Sequence, residues 1–132
     1  ILAAKKDNLR KVYYHKIDVK KRYSIRNAFK KLKKKFNIII DDSTHQFEDQ
    51  INIIEEAIPV LEDGGFLIIE DIPIHDKNFS EDRFQNKLKY KLKYFDLINF
   101  VDCNHIIKYS KGSYNSRILI LIRNNIKITG SN

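Results

Sequence analysis

Apolar side chains along this chain fall into two kinds of pattern, and their succession predicts the order of elements. Residues 36–40 (Phe-Asn-Ile-Ile-Ile) and 66–69 (Phe-Leu-Ile-Ile) are short runs with little alternation, as expected of strands buried on both faces of a sheet. Between them, Phe47, Ile51, Ile54, Ile58 and Leu61 recur at steps of four, three, four and three, which puts them on one stripe of a helix over 45–61. Ser43 and Thr44 offer capping oxygens at its start. Pro59 should bend or weaken its last turn. Residues 62–65 (Glu-Asp-Gly-Gly) read as a turn before the second run. Strand, helix, strand implies that both strands end at the same edge of a parallel sheet.

Upstream, residues 1–9 read as the remainder of a helix, 12–17 as a short strand ending at Asp18, and 23–34 as a helix whose inner face is Ile25, Ala28, Phe29 and Leu32. Downstream, an irregular loop over 72–80 leads to a helix over 81–95, with Phe84, Leu88, Leu92 and Phe95 facing inward. Strands come next at 98–102 and 117–123, and Gly112 in the polar link between them favours a hairpin. The tail from Asn124 is expected to fray. Alternating strands and helices predict an α/β chain: a doubly wound, mostly parallel sheet, covered on both faces, with an antiparallel hairpin at its end. The expected division is one domain over 1–124 and a frayed tail over 125–132.

Length and composition narrow this only a little. The 132 residues, 42% hydrophobic, suffice for one domain with a core. No run approaches the roughly 18 apolar residues of a membrane span, and the first residues lack a signal-peptide layout. The single cysteine, Cys103, excludes an internal disulfide and a cysteine-built zinc site, and it fits a reducing cytoplasm. A net charge of +8 invites an anionic partner. However, 19 Lys against 6 Arg, with 22 Ile and 12 Asn, is also the bias of AT-rich coding sequence, so nucleic acid is not the expected partner. Ten Lys or Arg against one acid between Lys16 and Lys35 read either as the solvated face of the basic helix or as a patch for an anionic partner.

The chemistry is concentrated at the strand ends. The first run ends in Asp41-Asp42 with His45 three residues on, and the second ends in Glu70-Asp71. Open α/β sheets bind ligands at such carboxyl ends. Neighbouring parallel strands lie roughly 4.8 Å apart, so the two ends can share one ion. A carboxylate–histidine cluster there suits a metal ion and a proton transfer. His75, on the loop after the second run, is a weaker candidate to face a substrate. His15, His105 and the tyrosines Tyr90, Tyr94, Tyr109 and Tyr114 read as structural or surface residues.

The segments IIIDDSTHQFEDQ and LEDGGFLIIEDI resemble the class I S-adenosylmethionine-dependent methyltransferases. Within that class they are most similar to the metal-dependent sugar O-methyltransferases of macrolide biosynthesis (mycinamicin and macrocin type) and the related cephalosporin-hydroxylase-like proteins. Those carry I-D-D-G-S-H and, a helix later, G-G-x-Y-I-I-E-D. The resemblance implies a metal site of Asp42, Glu70 and Asp71, whose hard oxygens suit Mg2+ or another divalent cation. It implies His45 as the base that withdraws a hydroxyl proton. It places Asp18 and its neighbour Val19 near the adenine of S-adenosyl-L-methionine, and Asp41 and Asp42 near its methionyl end. The reaction implied is O-methyl transfer to a sugar or another small hydroxyl substrate. Ser43-Thr44 replace the family's Gly-Ser, and the glycine-rich cofactor loop is not found in these residues, so the chain is expected to be the later part of such a domain. The competing expectations are a basic binding module without chemistry and a degenerate methyltransferase.

Overall fold

The computed structural model describes residues 14–103 and 117–128. Their order is α1 (Arg22–Leu32), β1 (Phe36–Asp41), α2 (Phe47–Ala57), β2 (Leu61–Ile72), α3 (Glu81–Leu88), β3 (Phe95–Asp102) and β4 (Arg117–Arg123), with single 3-10 turns at Ile58–Val60, Lys77–Phe79 and Leu92–Tyr94. The expected helix over 1–9 and the first residues of the expected strand over 12–17 lie outside the described residues. Tyr14–Ile17 form no strand.

The four strands form one mixed sheet in the order β1-β2-β4-β3. β1 and β2 are parallel, joined by α2. β4 is antiparallel to both β2 and β3, so the chain ends in the expected antiparallel pair. The Glu-Asp-Gly-Gly turn sits inside β2. Phe36 pairs with Leu61 and Ile38 with Phe66, so residues 62–65 bulge out of the ladder. Two glycines make that bulge possible. Gly64 takes φ 77°, and a Cβ on Gly65 would lie 2.8 Å from the Glu62 carbonyl oxygen and 3.1 Å from that of Phe36.

The predicted stripe of α2 is the centre of the core. Phe47, Ile51, Ile54, Ile58 and Leu61 are all buried against Leu67, Ile69, Leu119 and Leu121. Each such side chain contributes roughly 1.5–3 kcal/mol over leaving it in water. The helix itself stops at Ala57, and Pro59 falls in the 3-10 turn, where its missing N–H costs least. α3 likewise ends at Leu88, earlier than its pattern predicts. Phe84 stacks edge-on against Phe47 and Phe100, with ring centroids 4.8 and 5.5 Å apart. α1 is fastened to α2 by ion pairs: Arg26 grips the Glu56 carboxylate at 2.7 and 2.9 Å, and Arg22 reaches Glu55 at 2.6 Å and Glu56 at 3.0 Å.

The expectation of cover on both faces is not met among the described residues. On β1, Ile39 and Asp41 point to the helices, while Ile38 and Ile40 are each 57% exposed. The register carries this alternation across the sheet through Phe66, Ile68, Ile120, Ile122 and Leu97, which share the face of Ile38 and Ile40. The helices therefore cover one face, and the other presents isoleucine and phenylalanine outward. After β4, Asn124 is buried, and its side chain donates to the Lys93 carbonyl at 2.7 Å.

Candidate functional site

β1 and β2 run in parallel, so Asp41 at the end of one and Asp71 near the end of the other emerge at the same edge. Two unusual torsions shape the chain there. His45 takes φ 54° as the chain turns from β1 into α2, and Asp71 takes φ 55° within β2. Between Ile69 and Ile72 the pairing with β4 slips by one residue, a bulge that resets the in–out alternation at Asp71.

The outcome is a compact group. Asp42, His45 and Asp71 each place one ligand-capable atom within 4.8 Å of the others. His45 Nε2 lies 3.1 Å from Asp42 Oδ1 and 3.5 Å from Asp71 Oδ2. The Asp42 and Asp71 carboxylate oxygens, within 4.8 Å of each other, are close enough to meet at one divalent cation with bonds of about 2.1 Å, and His45 stands within hydrogen-bond reach of Asp42. Glu70 is not in this group. It lies within the bulge beside Asp71, and its backbone carbonyl accepts a hydrogen bond from Gln50 Nε2 at 3.2 Å.

Beneath the group lies a buried polar layer. Asp41 is buried, and burial pushes its carboxyl above the ordinary value. A hydrogen bond from Ser43 and the proximity of His45 oppose the rise, while Asp42 and Asp49 add to it. The expected caps at Ser43 and Thr44 do not form. Gln46 is the N-cap residue, without a side-chain bond, and the Thr44 hydroxyl donates instead to the buried Asp49 carboxylate at 2.5 Å. Asp49 and Glu48 also place negative charge at the positive end of α2. Gln50 is 1% exposed, and its Oε1 has no partner among the described residues. Gln50 lies three residues after Phe47 on the inward stripe of α2, a polar residue where the pattern calls for an apolar one. That is the signal by which it can be read as a site residue.

Asp18 and Val19 sit at the entrance to α1. The Asp18 carboxylate accepts from the Lys20 amide at 3.2 Å and pairs with Lys21 at 3.0 Å, and the Val19 carbonyl accepts from Asn52. These contacts hold them in place beside α2, outside the Asp42–His45–Asp71 group. His75 lies exposed on the loop after β2, and His105 lies outside the described residues.

No protein-family model matches the chain, and no curated protein does. Among solved structures it is similar to the MycE methyltransferase from the mycinamycin biosynthetic pathway, determined in complex with Mg and SAH, with a TM-score of 0.53 and 15% sequence identity. The match covers 83% of this chain and 32% of that one, so this chain spans about a third of the structure it resembles. At that identity the likeness speaks for the fold: a four-stranded mixed sheet with helices, built like part of a methyltransferase.

Proposed function

We propose that the chain is the metal-holding part of an S-adenosylmethionine-dependent methyltransferase that acts on a hydroxyl of a sugar or another small molecule. The observation that supports this reading is the convergence of Asp42, His45 and Asp71 at the carboxyl ends of adjacent parallel strands, in a fold like that of a methyltransferase structure containing Mg. Asp42 and Asp71 would hold the cation. Glu70, outside the group, is left out of the ligand set.

When bound, the cofactor supplies an electrophilic methyl group, and a divalent cation lowers the pKa of a hydroxyl it touches. The chain's own residues do the rest. In this reading His45 would take the hydroxyl proton, help worth roughly 10²–10⁴-fold. Asp41 would support the loop that carries Asp42 and stand at the methionyl end of the cofactor, and Asp18 with Val19 would stand at its adenine. Gln50 holds the Glu70 carbonyl and so fixes the strand just before Asp71.

The rival reading, a basic module for nucleic acid, loses part of its charge to the fold, because Arg22 and Arg26 are spent on Glu55 and Glu56. Calorimetric titration of the chain with magnesium chloride, and separately with S-adenosylhomocysteine, tests the proposal. The expected result is one cation per chain, weakened at least about tenfold by Asp42→Asn or Asp71→Asn. Binding of neither ligand would overturn the reading.

A further inference from the structure

We infer that the opposite end of the sheet carries a second binding site, for a small phosphate or carboxylate with an apolar body. The inference does not depend on the methyltransferase reading. β2 begins, and β4 ends, at the end of the sheet remote from Asp71: Phe66 pairs with Ile122, and Phe95 with Arg123. There a cavity of about 560 Å³ opens between α1, the end of α2, and the turns that precede β2 and β3. This is within the size range of small-molecule sites, roughly 300–1,000 Å³.

The wall behind it is a built structure. The buried Arg123 guanidinium donates to the carbonyls of Ile58 and Tyr94, each at 3.2 Å, and to that of Ile126 at 2.7 Å. One side chain thereby ties together three of the segments that line or adjoin the cavity. Asn124 adds its amide N–H to the Tyr94 carbonyl at 3.0 Å. These bonds pin Ile58, Tyr94 and the irregular segment after β4 in one arrangement, so the cavity does not need a ligand to form it.

Its charge is unbalanced. Arg22, Arg26, Lys30 and Lys91 line it, against Glu55 and Glu56. Both carboxylates are already taken by the two arginines. Lys30 and the half-buried Lys91 have no carboxylate partner among the described residues, which leaves two unmatched cations among the lining residues. Phe29, Pro59, Tyr94 and Ile128 supply apolar walls. Two lysines without carboxylate partners beside apolar walls suit a ligand with one or two negative charges and a ring or short chain attached.

Phenyl phosphate is a suitable probe, titrated into the isotope-labelled full chain and followed by NMR. Shifts are expected at Ile58, Tyr94 and Ile128, and inorganic phosphate and benzyl alcohol should each bind at least about tenfold more weakly than phenyl phosphate. Lys30→Gln with Lys91→Gln should weaken binding about tenfold, whereas Asp71→Asn should leave it unchanged. Both lysines lie outside the core, so this double variant keeps the fold. Three results would overturn the inference: shifts confined to the open sheet face at Ile38, Ile40 and Phe66; equal binding of inorganic phosphate or benzyl alcohol; or undiminished affinity in the double variant.

Discussion

His45 and Asp71 both take positive φ, a conformation that crowds any side chain against its own backbone and costs roughly 1–2 kcal/mol for most residues. Asp and Asn tolerate it better than β-branched residues, because their short polar side chains bond locally. Two variants of Asp71 should therefore separate fold from site. Asp71→Asn should keep stability within about 0.5 kcal/mol while weakening cation binding, and Asp71→Val should lose about 1–2 kcal/mol in urea unfolding. Equal stability of the two would show that the torsion carries no strain. The spacing of Asp42, His45 and the Glu70-Asp71 pair was legible in the sequence. Which of Glu70 and Asp71 joins the cluster was not, because that depends on a bulge that forms only when β2 pairs with β4. Thr44 and Asp49 were equally illegible: their bond replaces a helix cap that the local sequence favours.

Among the elements, α1 and α2 were both plain in the hydrophobic periodicity, but their mutual attachment was not. The basic run read as a solvated face or a patch for an anionic partner, yet two of its arginines close on Glu56. Burial works against ionisation of that carboxyl, but the hydrogen bonds from Arg26 and Arg22 outweigh it and hold it below its ordinary value of 4.5. The unfolded chain then binds this proton more readily than the folded one. The stabilisation is fully present above about pH 4.5 and is lost as pH falls through the lower folded value. Asp41, pushed the other way by burial, contributes in the opposite sense. A comparison with Glu56→Gln isolates the clasp: below pH 4.5 the wild-type chain should lose stability more steeply than the variant, as read by urea unfolding at successive pH values. Parallel curves would mean that the clasp contributes nothing to folding.

For the molecule as a whole, the order of strands and helices after residue 20 followed from the sequence, whereas the open face of the sheet did not. The run of isoleucines in β1 reads as a strand in contact on both sides, and among the described residues only one side has its contact. Ile38 and Ile40 at 57% exposure, with Phe66 at 41% and Leu97 at 40%, lie on one face of the sheet, from β1 at one edge of the described strands to β3 at the other. Such a surface favours contact between copies. Sedimentation should show reversible, concentration-dependent association that Ile38→Lys with Ile40→Lys abolishes; the same association in that variant would place the contact elsewhere. The described residues are in effect amphiphilic, with one apolar face, and the chain carries +8 overall. Like charges hold copies apart while their field reaches about 10 Å, in 0.1 M salt, and much less so when it shrinks to about 3 Å in 1 M salt. Added salt should therefore drive copies of this chain together rather than disperse them.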